Sequence, residues 1–171
     1  MKKHIGNSLA ELLVLVSLIS LLATIALPAW ASLVRREQQR ADVNQLLSAI
    51  HYARSQAVQS QQFVTLCSGR QRCTGSQLWQ TSILAFVDGD RDGDYDEDET
   101  LLQNFSLSPG VSWQWSSFRQ KSYLQFEGNG TTRALNGTFS LCSSGKVERQ
   151  IVISLTGRPR INHQDAIDCN Q

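Results

Sequence analysis

Histidine is scarce in this chain, with three in 171 residues. His4, His51 and His163 lie far apart in sequence, which argues against a shared proton-transfer or metal site. No glycine-rich phosphate loop, nucleophile elbow or paired-carboxylate site stands out either, so nothing points to an enzyme. There is no internal repeat and no low-complexity linker. Charge is absent from Leu12 through Val34, a run long enough and apolar enough to cross a bilayer. The overall formal charge is only +1.

That near-neutrality hides a partition. Asp88 to Glu99 hold eight acidic side chains and one arginine, a net of −7, so the rest of the chain carries +8. Set apart from the long helix, roughly 110 residues remain for one globular domain with a single modest core.

The apolar run begins beside a carboxylate. Glu11 would cost about 2.5 to 3.5 kcal/mol at the centre of a membrane helix, so it needs a partner or a purpose. Upstream stand Lys2, Lys3 and Gly6, and Pro28 closes the most apolar part. An ordinary secretory leader is the alternative reading, with Leu12 to Leu27 as its apolar region and Ala29-Trp30-Ala31 as its cleavage site. Its apolar region, at 16 residues, is slightly long, and Glu11 would serve nothing there.

Together these residues resemble the class III signal of type IV pilins and pseudopilins: a short basic leader, cleavage after Gly, Glu at mature position five and a long apolar helix. The resemblance implies that Met1 to Gly6 are removed, that Asn7 becomes the N-terminus, and that the new amino group is methylated. Asn7 departs from the Phe or Met usual at that place. In such an assembly Glu11 would meet the N-terminal ammonium of a neighbour, compensating two charges in hydrocarbon. Lys2 and Lys3 set the orientation, leaving everything beyond about residue 34 outside the cytoplasm. The expected organisation is a leader at 1–6, an inner-membrane and filament-core helix at 7–34, and a periplasmic pilin domain at 35–171.

Past Pro28, which either kinks the helix or loosens it, Val43, Leu46, Leu47, Ile50, Ala53, Ala57 and Val58 recur at the spacing of an amphipathic helix. Arg40, Gln45 and Arg54 fall on its wetter side. One helix is expected from about 8 to 62. Beyond it the period becomes two, with short β-rich runs at 63–67, 78–87, 100–107, 111–118, 123–126, 138–142 and 151–155. Trp113 and Trp115 alternate with Gln114, as in a strand with one buried face. The fold class is α+β: a helix packed on an antiparallel sheet.

The four cysteines, Cys67, Cys73, Cys142 and Cys169, fall in the exported portion, where disulfides persist. Of three pairings, Cys67–Cys73 and Cys142–Cys169 are expected: one closes a tight loop, the other ties down the tail at about 3 to 4 kcal/mol. A zinc site is the competing reading, and the spacing is odd for it.

Phe86-Val87-Asp88-Gly89-Asp90, leading through the acidic turn to Glu99-Thr100-Leu101-Leu102, resembles the hairpin of the GspH/FimT family of minor pilins and pseudopilins. The turn also matches the EF-hand expression, with Asp88, Asp90, Asp92, Asp94 and Glu99 among its calcium ligands. The flanks read as strands, whereas an EF-hand has helices. No cofactor is required by the pilin reading, and calcium is the one ion the turn would take.

Near the C-terminus, Gly157-Arg158-Pro159-Arg160 presents two guanidiniums on a stiff segment, and their planar forks suit phosphate. The element resembles the C-terminal motif of the family's DNA-binding minor pilins, FimT-like proteins of naturally transformable bacteria. The match covers Gly157, Arg158 and Arg160; Lys146 and Arg149 join them on charge and proximity in sequence. The expected function is non-specific binding of double-stranded DNA for uptake in natural transformation, with pilins, the prepilin peptidase and the inner membrane as further partners. The alternative is an architectural minor pilin or type II secretion pseudopilin that primes filament assembly without touching DNA.

Overall fold

The computed structural model describes residues 9–143 and 146–162. One helix, α1 (Leu9–Ser60), precedes nine strands: β1 (Val64–Ser68), β2 (Leu78–Gln80), β3 (Ser82–Val87), β4 (Thr100–Ser106), β5 (Ser112–Ser117), β6 (Leu124–Phe126), β7 (Gly137–Ser143), β8 (Lys146–Ile153) and β9 (Pro159–Asn162). The chain forms two compact units, Met1–Arg40 and Ala41–Gln171.

In the first unit, α1 is apolar on every side and continuous through Pro28. Its large side chains, Leu12 to Val34, are exposed, as expected of a helix that finds its apolar surroundings outside its own chain. The hydroxyls of Ser17, Ser20, Thr24 and Ser32 donate to carbonyls three or four residues back. Such bonds leave no hydroxyl unsatisfied in an apolar medium.

In the second unit the expected stripe is buried. Val43, Leu46, Ala49, Ile50, Ala53 and Ala57 face two antiparallel sheets, and Val58 alone of the predicted set is exposed, at 42%. The first sheet has the order β4-β3-β1-β6, the second β2-β5-β7-β8-β9. The single run expected over 78–87 is split between them at Thr81, whose φ is +68°. That left-handed residue ends β2 and redirects the chain, and its carbonyl accepts the Leu107 N–H at 2.8 Å.

Aromatic side chains fill the inner face of the second sheet. Phe139 stacks on Trp115 with centroids 4.2 Å apart and meets Trp79 edge-on at 4.8 Å. Trp79 and Trp115 each donate an indole N–H to a backbone carbonyl, of Ser122 and Tyr123 respectively. Trp113 is equally buried, and its Nε1 has no partner among the described residues.

Cys67 and Cys73 are bonded, closing a loop worth about 2 kcal/mol in the chain-entropy model. Cys142 is also disulfide-bonded; Cys169, Gly6 and Asn7 lie outside the described residues.

The indoles give a paired prediction. Trp113→Phe removes an unsatisfied donor and should change stability by under about 1 kcal/mol, whereas Trp115→Phe orphans the Tyr123 carbonyl and should cost about 1 to 3 kcal/mol more. Thermal unfolding of the two full-length variants in detergent micelles checks the difference.

Candidate nucleic-acid interface

The Gly-Arg-Pro-Arg element closes the β8–β9 hairpin. Gly157 donates its N–H to the Ser154 carbonyl at 2.9 Å and has a φ of +73°, a three-residue connection ending in a left-handed glycine. Ser154 Oγ accepts the Arg158 N–H and donates to the Arg158 carbonyl, both at 3.2 Å. Pro159 starts the edge strand β9, where its missing N–H costs no ladder bond.

Gly157 is itself buried. A Cβ there would stand 2.1 Å from the Gly130 carbonyl oxygen, so the position excludes any side chain on two grounds. Arg54 Nε donates to the same Gly130 oxygen at 3.0 Å, and Thr132 N–H donates to the Leu155 carbonyl at 3.1 Å. The turn is therefore fixed to α1 and to the loop that follows β6. Gly157 shapes the hairpin and has no surface with which to touch a ligand.

Register assigns the faces. Ser116, Thr138, Val152 and Arg160 form one row across β5, β7, β8 and β9, on the side away from Phe139 and Ile151. Two residues toward the turn, Phe118, Asn136, Ser154 and Arg158 form the next row on that face, joined by Phe118 N–H to Asn136 O and Ser154 N–H to Arg158 O. Arg158 and Arg160 thus share the outer face, both exposed. Among the described residues neither enters a salt bridge, while Arg133 is tied to Glu127 at 3.3 Å and Arg40 to Glu37 at 2.8 Å.

The other basic residues do not gather there. Arg149 pairs with Leu141 and alternates with Gln150, which sets it on the face of Ile151. Lys146 opens β8 opposite Ser143, six residues from Val152 and so about 20 Å along the strand. Proximity in sequence did not foresee the bulge between Leu141 and Cys142. Of the five residues expected at the interface, Arg158 and Arg160 share this face, and Gly157 supports them from below.

The acidic turn joins β3 to β4, strands as expected. Its first carboxylate points inward. Asp88 is 1% exposed and accepts from Thr65 Oγ1 and Gln125 Nε2 at 2.7 Å, Arg91 N–H at 2.6 Å and Gly93 N–H at 3.1 Å. Glu99 accepts the Gly89 and Asp96 N–H groups at 2.8 and 3.3 Å. Gly93 has a φ of +86°, and a Cβ there would strike the Tyr123 ring at 2.1 Å. Carboxylate oxygens of Asp88, Asp90 and Glu99, and of Asp90, Asp92 and Asp96, lie within 4.8 Å of one another, so either trio could hold a cation.

Charge crowding marks the turn. Desolvation and then the carboxylates of Asp92, Asp90, Asp98 and Asp94 raise the pKa of Asp96. Desolvation also raises Glu99, against the two N–H donors that lower it and with Asp88 and Asp90 adding to the rise. Tyr123, beneath the turn, is raised by desolvation and then by Asp88 and Asp92.

A long apolar helix leading into a helix-on-sheet domain with a disulfide and a presented hairpin defines a pilin-type subunit. The model of the family described as "Type II transport protein GspH" matches residues 42–157, and the chain belongs to that family, whose members are structural and non-enzymatic pilin-like subunits. Two crystal forms of the type IV minor pilin FimU of Pseudomonas aeruginosa PAO1 are similar in fold. One has a TM-score of 0.60 at 21% identity, covering 76% of this chain and 98% of the other; the second has 0.59 at 22%, covering 79% and 96%. No curated protein sequence matches the chain.

The local chemistry can be tested in three ways. Gly157→Ala forces a Cβ into the left-handed region and against a carbonyl, and should cost about 2 kcal/mol or more, read as a lowered thermal midpoint. Asp96 and Glu99 bind protons more readily when folded. Their contribution to stability is therefore complete below the ordinary values of 3.8 and 4.5 and is lost as pH rises through the raised ones. The midpoint should fall through that window, and fall less in Asp96→Asn. Calcium in the millimolar range then separates two roles: a structural turn leaves the midpoint unchanged, and a cation site raises it in the parent chain but not in Glu99→Gln.

Proposed function

We propose that this minor pilin binds double-stranded DNA non-specifically through the outer face of its β8–β9 hairpin. The observation that carries the reading is the pair Arg158 and Arg160, exposed on one face, without a salt bridge among the described residues, and set on a turn that Gly157 and Arg54 hold rigid. Arginines so presented neutralise phosphates and release counterions, with affinity falling steeply as salt rises. One copy with few contacts binds in the non-specific range. Several copies in a filament, or neighbouring basic pilins, add avidity.

In this reading the leader ends at Gly6, the helix to about residue 34 anchors the subunit in the inner membrane, and Glu11 pairs with a neighbour's N-terminus on assembly. The Cys142–Cys169 bridge steadies the tail beyond β9. The acidic turn is structural, organised by the protein donors to Asp88, and requires no cofactor. An architectural minor pilin or pseudopilin is the rival, with the same anchor and no role for the two arginines.

A salt-dependent gel shift of duplex DNA by the full-length protein in detergent micelles separates them. Arg158→Gln/Arg160→Gln should weaken binding about tenfold and lower the slope of log affinity against log salt by about 2. Equal shifts by parent and variant, or no shift by either, support the architectural role.

A further inference from the structure

Two turns at one end of the second sheet are built alike. In the β5–β6 connection Gln120 donates its N–H to the Ser117 carbonyl at 2.9 Å, and Gln120 has a φ of +55°. Ser117 Oγ accepts the Lys121 N–H at 2.8 Å and donates to the Lys121 carbonyl at 3.1 Å. Ser154, Gly157 and Arg158 repeat the same construction after β8. Each turn sets an apolar residue just after its serine, Phe118 at 76% exposure and Leu155 at 58%, and a cation three residues further on.

β5 and β8 run parallel, both antiparallel to β7, so the two turns leave the sheet at the same end. Phe118 falls in the row of Arg158, on the outer face. Three strand spacings separate them, about 14 Å. Between them stand Asn136 and Ser154, then Thr138 and Val152, and the three rows nearest this end, down to Gln114, Ser140, Gln150 and Asn162, contain no carboxylate. The rows between are uncharged, with two guanidiniums at one side and an exposed aromatic ring at the other.

We infer that Phe118 is a base-stacking residue of this face, and that the face prefers nucleic acid with accessible bases, single-stranded segments or frayed ends, to intact duplex. The inference rests on the polyanion-binding reading above. Its chemistry is separate: cations hold the phosphate backbone of any nucleic acid, while a ring stacks only on a base whose face is free. In a duplex those faces are turned to one another. An anionic lipid surface offers no aromatic face, so it gives a ring no advantage over an aliphatic side chain of similar bulk, whereas an exposed base does.

The test compares full-length protein in micelles binding a labelled single-stranded oligonucleotide and the matching blunt duplex, with Phe118→Ala and Arg158→Gln/Arg160→Gln. The expected result is that Phe118→Ala loses about tenfold on the single strand and under twofold on the duplex, its salt slope unchanged, while the arginine variant weakens both and flattens both slopes. Phe118→Leu, which keeps bulk without a π face, should bind like the alanine variant. No change on the single strand, an equal loss on both ligands, or full rescue by leucine overturns the stacking role. Failure of the arginine variant to weaken either ligand overturns the underlying reading instead. A Phe118→Ala defect confined to anionic vesicles, added in parallel, makes the ring a lipid contact and also overturns the inference.

Discussion

The globular domain depends on burial of one face of α1. Leu46, Ala49, Ile50, Ala53 and Ala57 are wholly inaccessible, and the core they join draws on β1, β2, β3, β5, β6, β7 and β8. The large members each contribute about 1.5 to 3 kcal/mol. The alanines contribute differently: having little side chain to order, they let strands approach the helix closely. Arg54 stands beside Ala53 at the border of that face and reaches Gly130, so the same packing that builds the core also holds the turn under Gly157.

Much of this was legible in the sequence because it is periodic. Three- and four-residue spacing announced the buried stripe, and Trp113-Gln114-Trp115 announced a half-buried strand. The acidic hairpin was recognisable between its flanking strands. What escaped was set by backbone conformation or by partners distant in sequence. Thr81 has nothing in its chemistry to advertise a positive φ, so one expected strand became two in different sheets. Lys146 to Gln150 is too polar to read as strand, and Arg158-Pro159-Arg160 reads as a stiff segment without showing that Pro159 opens an edge strand. Asp88 was one carboxylate among many until Thr65 and Gln125, 23 and 37 residues away, were seen to claim it.

The site's legibility divides the same way. Arg158 and Arg160 are two apart, and alternation alone puts such a pair on one side of an extended segment. Arg149 is excluded only by register, and Phe118 is included only by register. No local pattern could show that β5 and β8 end together. The one hint in the chain is the shared order of serine, apolar residue, two more and a cation in Ser117 to Lys121 and Ser154 to Arg158.

Charge placement links fold to role. The −7 turn joins β3 to β4 at the edge of one sheet, and the arginines lie at and just before β9, at the edge of the other. Within the turn, repulsion is answered locally by inward N–H donors to Asp88 and Glu99. On the hairpin Arg158 and Arg160 enter no salt bridge among the described residues, and that has a thermodynamic use in the proposed role. On the proposed reading, guanidiniums carried by a fixed turn, and outside any salt bridge among the described residues, would lose little conformational freedom when a polyanion arrives. The free energy of counterion release would then appear in binding instead of being spent on rearrangement. Gly157 is what makes this hold: it lets the turn sit against Gly130, and a hairpin seated there presents both arginines in a fixed register instead of sampling many.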